Sequence, residues 1–494
     1  MRSCVCGGRL ASKGNKRLRC VYCRKTYPQY DNWKTKKRTI RHLVTYAQNM
    51  TPAHTGMLKS LNRYVQENPG TELHVIPGRY HNPTSMWGKG QDIWDPQIND
   101  LQCKDRLAIG QHVTVYGDVP LQSTALSPLS GLAPFTEGGS GVFGHPRLQL
   151  ESIASGKRHT PRLLTTTGAC TVKNYIHSKA GKKAEAAHQL GATLIEQDTD
   201  GELFHLRQIL VDDNGSFIDL DKEYSARGVR PAPPAAGLVC GDVHVGGKAL
   251  PEALDATFWA PDSMVSMLRP STIITHDVLD FRARSHHELT DVLKAAAKYR
   301  AGGSADSVRL EVEESLHWLT AVSKLTKELH VVISNHHEAF DRWLQSGVGR
   351  TDPANALFYH QMAAAQLEAH ARGEDPTAYP LAAQLMGFNG PKFLVRDQLL
   401  TIKGIHCHFH GHRGVNGAFG SPASFSNLGV PTITAHTHSP GIRGNNWVVG
   451  MLCHPDQDYN HLPSSWMNTN CVIYSNGKRC LLSIWGKNWR RNLR

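Results

Sequence analysis

The chain has 494 residues, 40% of them hydrophobic and 20% charged, which supports packed cores and excludes a largely disordered polypeptide. It contains no run of 18 apolar residues, so no membrane-spanning helix is expected, and the basic, cysteine-bearing N-terminus is unlike a signal peptide. The net charge of +13 is concentrated at the ends: residues 1–41 carry +12, residues 478–494 carry +6, and the stretch between carries −5. Positive termini on a mildly acidic body favour a polyanionic partner.

Residues 1–38 open the chain with Cys4-Val5-Cys6-Gly7-Gly8 and, after thirteen residues following Cys6, Cys20-Val21-Tyr22-Cys23. Two cysteine pairs on tight knuckles suit four thiolates around one structural Zn²⁺, whose binding would supply folding energy that so small a segment lacks. The segment resembles a zinc ribbon, with a first pair one residue shorter than usual. The other seven cysteines lack metal-site spacing and read as buried thiols.

Residues 39–230 read as a separate α/β domain. Periodicity predicts a strand over 40–46, a helix over 52–67 capped by Thr51, and a strand over 72–77. Residues 79–160 are rich in Gly, Pro, Ser and Thr and predict strands with long loops. A strand is expected over 162–171, a helix over 182–190, a strand over 192–196, and a hairpin over 204–220 turning at Asp212-Asp213-Asn214-Gly215. The stretch Arg230-Pro231-Ala232-Pro233-Pro234-Ala235-Ala236-Gly237 reads as a linker.

Beyond it, five polar clusters follow short apolar runs: Gly241-Asp242-Val243-His244, His276-Asp277-Val278-Leu279-Asp280, Ser334-Asn335-His336-His337-Glu338, His410-Gly411 and Ala435-His436-Thr437-His438. Strands are predicted over 238–240, 271–275, 330–334, 402–408 and 430–435, each delivering Asp, Asn or His at its end. Alternate residues of an extended segment point the same way, so Asp242 and His244 can reach one metal together. Packing alone asks for no ligand at a strand tip. In this order, the clusters of residues 238–494 resemble the calcineurin-like metallophosphoesterases. That resemblance implies a β-sandwich flanked by helices, with two divalent metals at the strand ends. It assigns Asp242, His244 and His438 to the first metal, Asp277 as the bridge, and Asn335, His410 and His436 to the second. It makes His336 a catalytic group facing phosphate, and Asp280 a structural or hydrogen-bonding residue. The mixed imidazole, carboxylate and amide set suits Mn²⁺ first, with Fe or Zn²⁺ as alternatives. Where the family usually has glycine, this chain has His276, Ser334 and Ala435.

The fold leaves the phosphoester open. The basic ends, including Trp485-Gly486-Lys487-Asn488-Trp489-Arg490-Arg491, suit a nucleic-acid backbone. The segments Ala47-Gln48-Asn49-Met50-Thr51-Pro52-Ala53-His54, Arg79-Tyr80-His81-Asn82-Pro83-Thr84-Ser85 and Thr167-Gly168-Ala169-Cys170-Thr171 resemble the pre-early DNases of T5-like phages. That resemblance implies DNA as the partner, metal-dependent DNA degradation, and a place in the infected host's cytoplasm, with self-association left open. The competing readings are a phosphatase or nucleotidase on a smaller phosphoester, and a non-enzymatic nucleic-acid-binding regulator acting through the zinc ribbon.

Overall fold

Period-two alternation of apolar side chains builds the sheet on which the five clusters converge. Leu238 and Cys240 turn to one face of strand Gly237–Asp242 and Val239 to the other; Ile273 and Ile274, Val331 and Val332, and Val472 and Ile473 divide the same way. A sheet buried on both faces needs two covering layers. In the computed structural model, which describes residues 10–12, 17–20, 26–28, 40–80, 92–156, 162–198, 203–285, 288, 291–395, 398–457 and 460–491, both layers are present.

The sheet has six strands in the order Lys392–Leu394, Glu328–Val332, Thr272–His276, Gly237–Asp242, Thr469–Ile473 and Arg479–Ser483. The first four run parallel, so their carboxyl ends lie along one edge. Helices Val308–Ser323, Asn335–Ser346, Ala356–Ala371 and Ala378–Leu385 cover one face through Val312, Leu316, Phe340, Met362 and Tyr379. The other face packs Val239, Ile274 and Val332 against Ile405, Ile433 and Trp447 of a second, ten-stranded sheet.

That second sheet takes five strands from before residue 237 and five from after it. The junction is an antiparallel pairing of Leu150–Ile153 with Gly441–Arg443, which leaves neither strand as an open edge. The regions expected as separate domains over 39–230 and 238–494 therefore share one sheet. Between them, the proline-rich stretch is packed rather than free. Ala232 and Ala235 are buried, and the Ala235 amide donates to the Leu268 carbonyl at 2.9 Å. Side chains as small as these bury without needing a periodic pattern.

Residues 41–494 form one compact unit and residues 1–40 another. In the smaller unit, strands Leu10–Ser12, Arg17–Cys20 and Thr26–Pro28 form an antiparallel sheet. The expected Zn²⁺ ligands Cys4, Cys6 and Cys23 lie outside the described residues, and Cys20 is described only as the end of its strand. A four-stranded sheet in the order Phe204–Leu210, Gly191–Gln197, Arg41–Gln48 and Thr71–Gly78 matches the expected strands and carries helix Thr55–Glu67.

Three local expectations change, the first being the strand expected over 402–408, which is instead a tight hairpin of Thr401–Ile402 with Ile405–His406. The helix is capped by His54, whose Nδ1 accepts the Met57 amide at 3.1 Å, whereas the Thr51 hydroxyl donates to the Asn49 carbonyl. The two arms expected to pair over 204–220 do not pair with each other: Phe204–Leu210 pairs with Gly191–Gln197, and Phe217–Asp219 with Lys222–Ser225. The turn itself forms, with the Gly215 amide donating to Asp212. The mixed α/β class expected from the sequence is the one the chain adopts. No helix among the described residues is long and apolar enough to cross a membrane.

Candidate metal centre

Each cluster stands where a strand stops. Asp242 ends strand Gly237–Asp242, and Asp277 follows Thr272–His276. Asn335 and His336 open the helix that follows Glu328–Val332. His410 comes after the short strand Ile405–His406, and His436 and His438 follow Thr432–Thr434. Three clusters thus come from the six-stranded sheet and two from the ten-stranded sheet, meeting where the two layers face each other.

Backbone approach makes the convergence possible. A β-carbon on Gly241 would lie 2.7 Å from the Met451 backbone, because strand Gly237–Asp242 passes so close to that segment. Gly411 holds φ +119° directly after His410, a conformation suited to glycine. His244, Asp277, His436 and His438 also have positive φ, at 49°, 44°, 73° and 57°. Left-handed backbone costs a non-glycine residue about 1–2 kcal/mol, and such strain gathers at functional sites.

Asp242, His244, Asp277 and His438 bring one ligand atom each to within 4.8 Å of one another, and Asp277, His410 and His436 do the same. Asp277 belongs to both groups. His438 Nε2 lies 3.1 Å from Asp242 Oδ2, and His244 Nε2 lies 3.8 Å from Asp277 Oδ2. His410 Nε2 lies 3.3 Å from Asp277 Oδ2 and 3.1 Å from Asn335 Oδ1. All seven residues expected as metal ligands are therefore brought together. Among the neighbouring histidines, His410 is the one placed against Asp277. His408 instead contacts the Leu400 backbone, and His412 pairs with Glu338.

The arrangement fits cations. Asp242 Oδ1, Asp277 Oδ1, His244 Nε2 and the Nδ1 atoms of His410 and His438 are buried without a hydrogen-bond partner in the protein. Buried polar atoms left so are costly unless something charged completes them. Burial opposes ionisation of Asp277, but His410 and His336 outweigh it and hold the carboxyl well below the usual carboxylate range. Asp242 is likewise held low, against burial, chiefly by His410. Burial, then the proximity of His410, pushes His436 down to about 4, so its imidazole is neutral near pH 7, as a ligand must be.

Supporting bonds fix the orientation of these rings. His244 Nδ1 donates to Asp280 Oδ1 at 2.9 Å, which leaves Nε2 for the centre. Lys248 Nζ donates to the same carboxylate at 3.0 Å. His336 Nδ1 donates to the Asp280 carbonyl at 2.7 Å. The residues standing in place of the usual glycines are also accounted for. Ser334 caps helix Asn335–Ser346 in a capping box with His337, the Ala435 amide donates to the His410 carbonyl at 2.7 Å, and His276 is buried beside His410.

A cleft of about 570 Å³ opens beside the cluster, lined by residues including His336, His436, Glu338, Arg342, Arg413 and Phe419. Lys248, Arg413 and Phe419 were missed by the sequence reading. Lys248 stands four residues after His244, but no helix joins the two, so their spacing carried no signal. A separate group, His42, Glu72 and His74, also gathers ligand atoms. There His42 Nδ1 and His74 Nε2 lie 3.0 Å apart, so one imidazole can donate to the other.

No family model matches the chain. It is 33% identical over 472 residues to protein A1 of Escherichia phage T5, an alignment covering 92% of this chain and 83% of that protein. A solved structure, that of Chaetomium thermophilum Vps29, aligns with 36% of this chain and 93% of its own at 11% identity, with a TM-score of 0.22, too low to bear on the fold.

Proposed function

The chain belongs to the family of phage T5 protein A1, and from that premise we propose that it is a metal-dependent phosphodiesterase of the calcineurin-like kind that hydrolyses DNA. The observation that carries this reading is the pair of ligand groups sharing Asp277, open on a cleft and drawn from the strand ends of two facing sheets.

Asp242, His244 and His438 would hold one cation, Asn335, His410 and His436 a second, with Asp277 between them. When bound, two such cations neutralise phosphate oxygens and make a hydroxide nucleophile accessible near neutral pH. The protein's own work is to orient and to move protons. The Asp280 carboxylate fixes the His244 tautomer, and the Asp280 carbonyl takes the Nδ1 proton of His336. His336 is thereby left with Nε2 free of Asp280, at a cleft-lining position beside the ligand groups. A protonated imidazole there can donate to a phosphate oxygen or to the leaving oxygen. Arg342 and Arg413 add cationic side chains along the same cleft, suited to an extended phosphate backbone. The strongly basic residues 1–41 are themselves suited to a polyanion.

The test is metal analysis joined to a cleavage assay on DNA, single nucleotides and a phosphopeptide, run across Mn²⁺, Fe²⁺ and Zn²⁺. Metal-dependent cleavage of DNA, lost in Asp277→Ala, is the expected result. A well-metallated protein that leaves DNA intact while hydrolysing a small phosphoester would move the reading to a nucleotidase or phosphatase.

A further inference from the structure

On one side of the cleft the chain folds a short hairpin over residues 412–420, of which the chemistry above uses only Arg413. Arg413 and Phe419 face each other across it in an antiparallel bridge. The Gly414 amide donates to Ala418 at 2.7 Å, the Gly420 amide donates to His412 at 3.0 Å, and Asn416 and Gly417 turn the chain at φ 56° and 73°. Directly opposed residues carry their side chains to the same side of the hairpin, so the side chains of Arg413 and Phe419 leave it in the same direction.

The hairpin is anchored to the metal centre. Glu338, on the helix that begins at Asn335, accepts Arg413 Nη2 at 2.7 Å and His412 Nε2 at 3.2 Å. A β-carbon on Gly420 would fall on the Gly411 carbonyl oxygen, so the base of the hairpin is tight against the residue that follows His410. Glu338 engages only one edge of the Arg413 guanidinium, whose side chain is 62% exposed. A guanidinium has five N–H donors, so several remain for another anion. Phe419 is 99% exposed on the lip of the cleft. A rigidly based hairpin thus presents a bare aromatic ring and a partly exposed arginine on the same side, a few residues from the ligand set.

We infer that this hairpin is a nucleotide subsite, in which Arg413 takes a phosphate neighbouring the scissile one and Phe419 stacks on the unpaired base next to it. The inference rests on the nuclease reading and adds a substrate class, single-stranded or locally unpaired DNA. An exposed ring stacks readily on a base whose face is open, whereas in a duplex that face is already covered by the next base pair.

The experiment uses the full chain with Ca²⁺ as the added cation, to hold the site without turnover, and a single-stranded oligonucleotide carrying 2-aminopurine. Wild type and Phe419→Trp are expected to bind it and quench its fluorescence. Phe419→Ala and Phe419→Leu are expected to bind roughly 5- to 150-fold more weakly and to lose the quench, the range that one base–aromatic stack spans. The matched duplex should show a far smaller difference. Unchanged affinity and quench in Phe419→Ala, or Phe419→Leu behaving as wild type, would overturn the subsite. So would an equal loss on duplex and single strand, or wild type that binds no oligonucleotide. The two readings fail separately. Wild type that binds and quenches yet never cuts with Mn²⁺ sinks the nuclease and leaves the subsite standing. Cleavage of single strands by Phe419→Ala with wild-type KM sinks the subsite alone.

Discussion

Two buried polar clusters in this protein are built to opposite rules. Around Arg207, every charge is answered. Its Nε and Nη2 reach Asp219 at 2.7 and 3.1 Å, its Nη1 reaches Glu196 at 2.8 Å, and Arg41 closes on the other oxygen of Glu196. Tyr64 donates to Asp219 as well. Around Asp277, carboxylates and imidazoles face one another with buried atoms left unpaired, on backbone held at positive φ. The first cluster is self-contained and joins strands Gly191–Gln197 and Phe204–Leu210 to Phe217–Asp219. The second leaves buried atoms that a cation could complete. Self-closure is what separates a structural ion network from a site.

The comparison can be broken most directly at Asp277. Asp277→Ala should reduce DNA cleavage to background and lower the bound metal measured by mass spectrometry, with the circular dichroism spectrum unchanged. Next comes His336→Ala, for which a fall of roughly 10²–10⁴-fold in kcat is expected while metal content stays at the wild-type level. A parallel loss of metal would instead make His336 a ligand. On the other side of the comparison, Arg207→Ala leaves Asp219 buried without its guanidinium and Glu196 held by Arg41 alone. It should cost about 3–5 kcal/mol of stability in a denaturant titration, and the folded fraction should still bind metal. Asp280→Asn should weaken metal binding roughly 10- to 100-fold, by freeing the His244 ring rather than by removing a ligand. Isothermal titration would read that shift.

The smallest effect is a pH dependence. Burial works against ionisation of Glu196, but Arg207 and Arg41 prevail and lower it from 4.5 to about 2. Its folded-state value is depressed, so its contribution is fully present above pH 4.5 and is lost as pH falls from there to about 2. At ~1.4 kcal/mol per pH unit that amounts to at most about 3–4 kcal/mol. Glu196→Gln should flatten the acid limb of the stability curve over that window. An unchanged limb would mean that the pair is not what stabilises the sheet.

Much of the candidate site was legible because its signal is local. A short apolar run followed by Asp, Asn or His marks a strand tip whether or not its neighbours are known, and five such tips in order name the residues that now converge. Period-two patterning also placed the strands around 40–48, 71–78 and 237–242 to within a residue or two. What escaped was long-range or competitive. The pairing of Leu150–Ile153 with Gly441–Arg443 leaves no trace in either segment, so the two halves read as separate domains. His54 rather than Thr51 caps the helix because the helix begins at Thr55, four residues beyond Thr51. The bond from Arg413 to Glu338 spans 75 residues of sequence and followed from no motif. An exposed phenylalanine such as Phe419 looks, in sequence, like any core residue.

The strand pairing across the ten-stranded sheet has a consequence for biosynthesis. Strand Leu150–Ile153 meets one neighbour, Arg162–Thr166, almost as soon as it is made, but its other edge waits for Gly441–Arg443. At roughly 5–20 residues per second, the intervening stretch of about 290 residues takes on the order of 15–60 s to synthesise. For that interval the nascent chain presents an unpaired strand edge, the kind of surface that aggregates or recruits chaperones. The candidate ligands His436 and His438 come off the ribosome at the same late stage, just before that partner strand, so the ligand cluster also waits for this part of the chain.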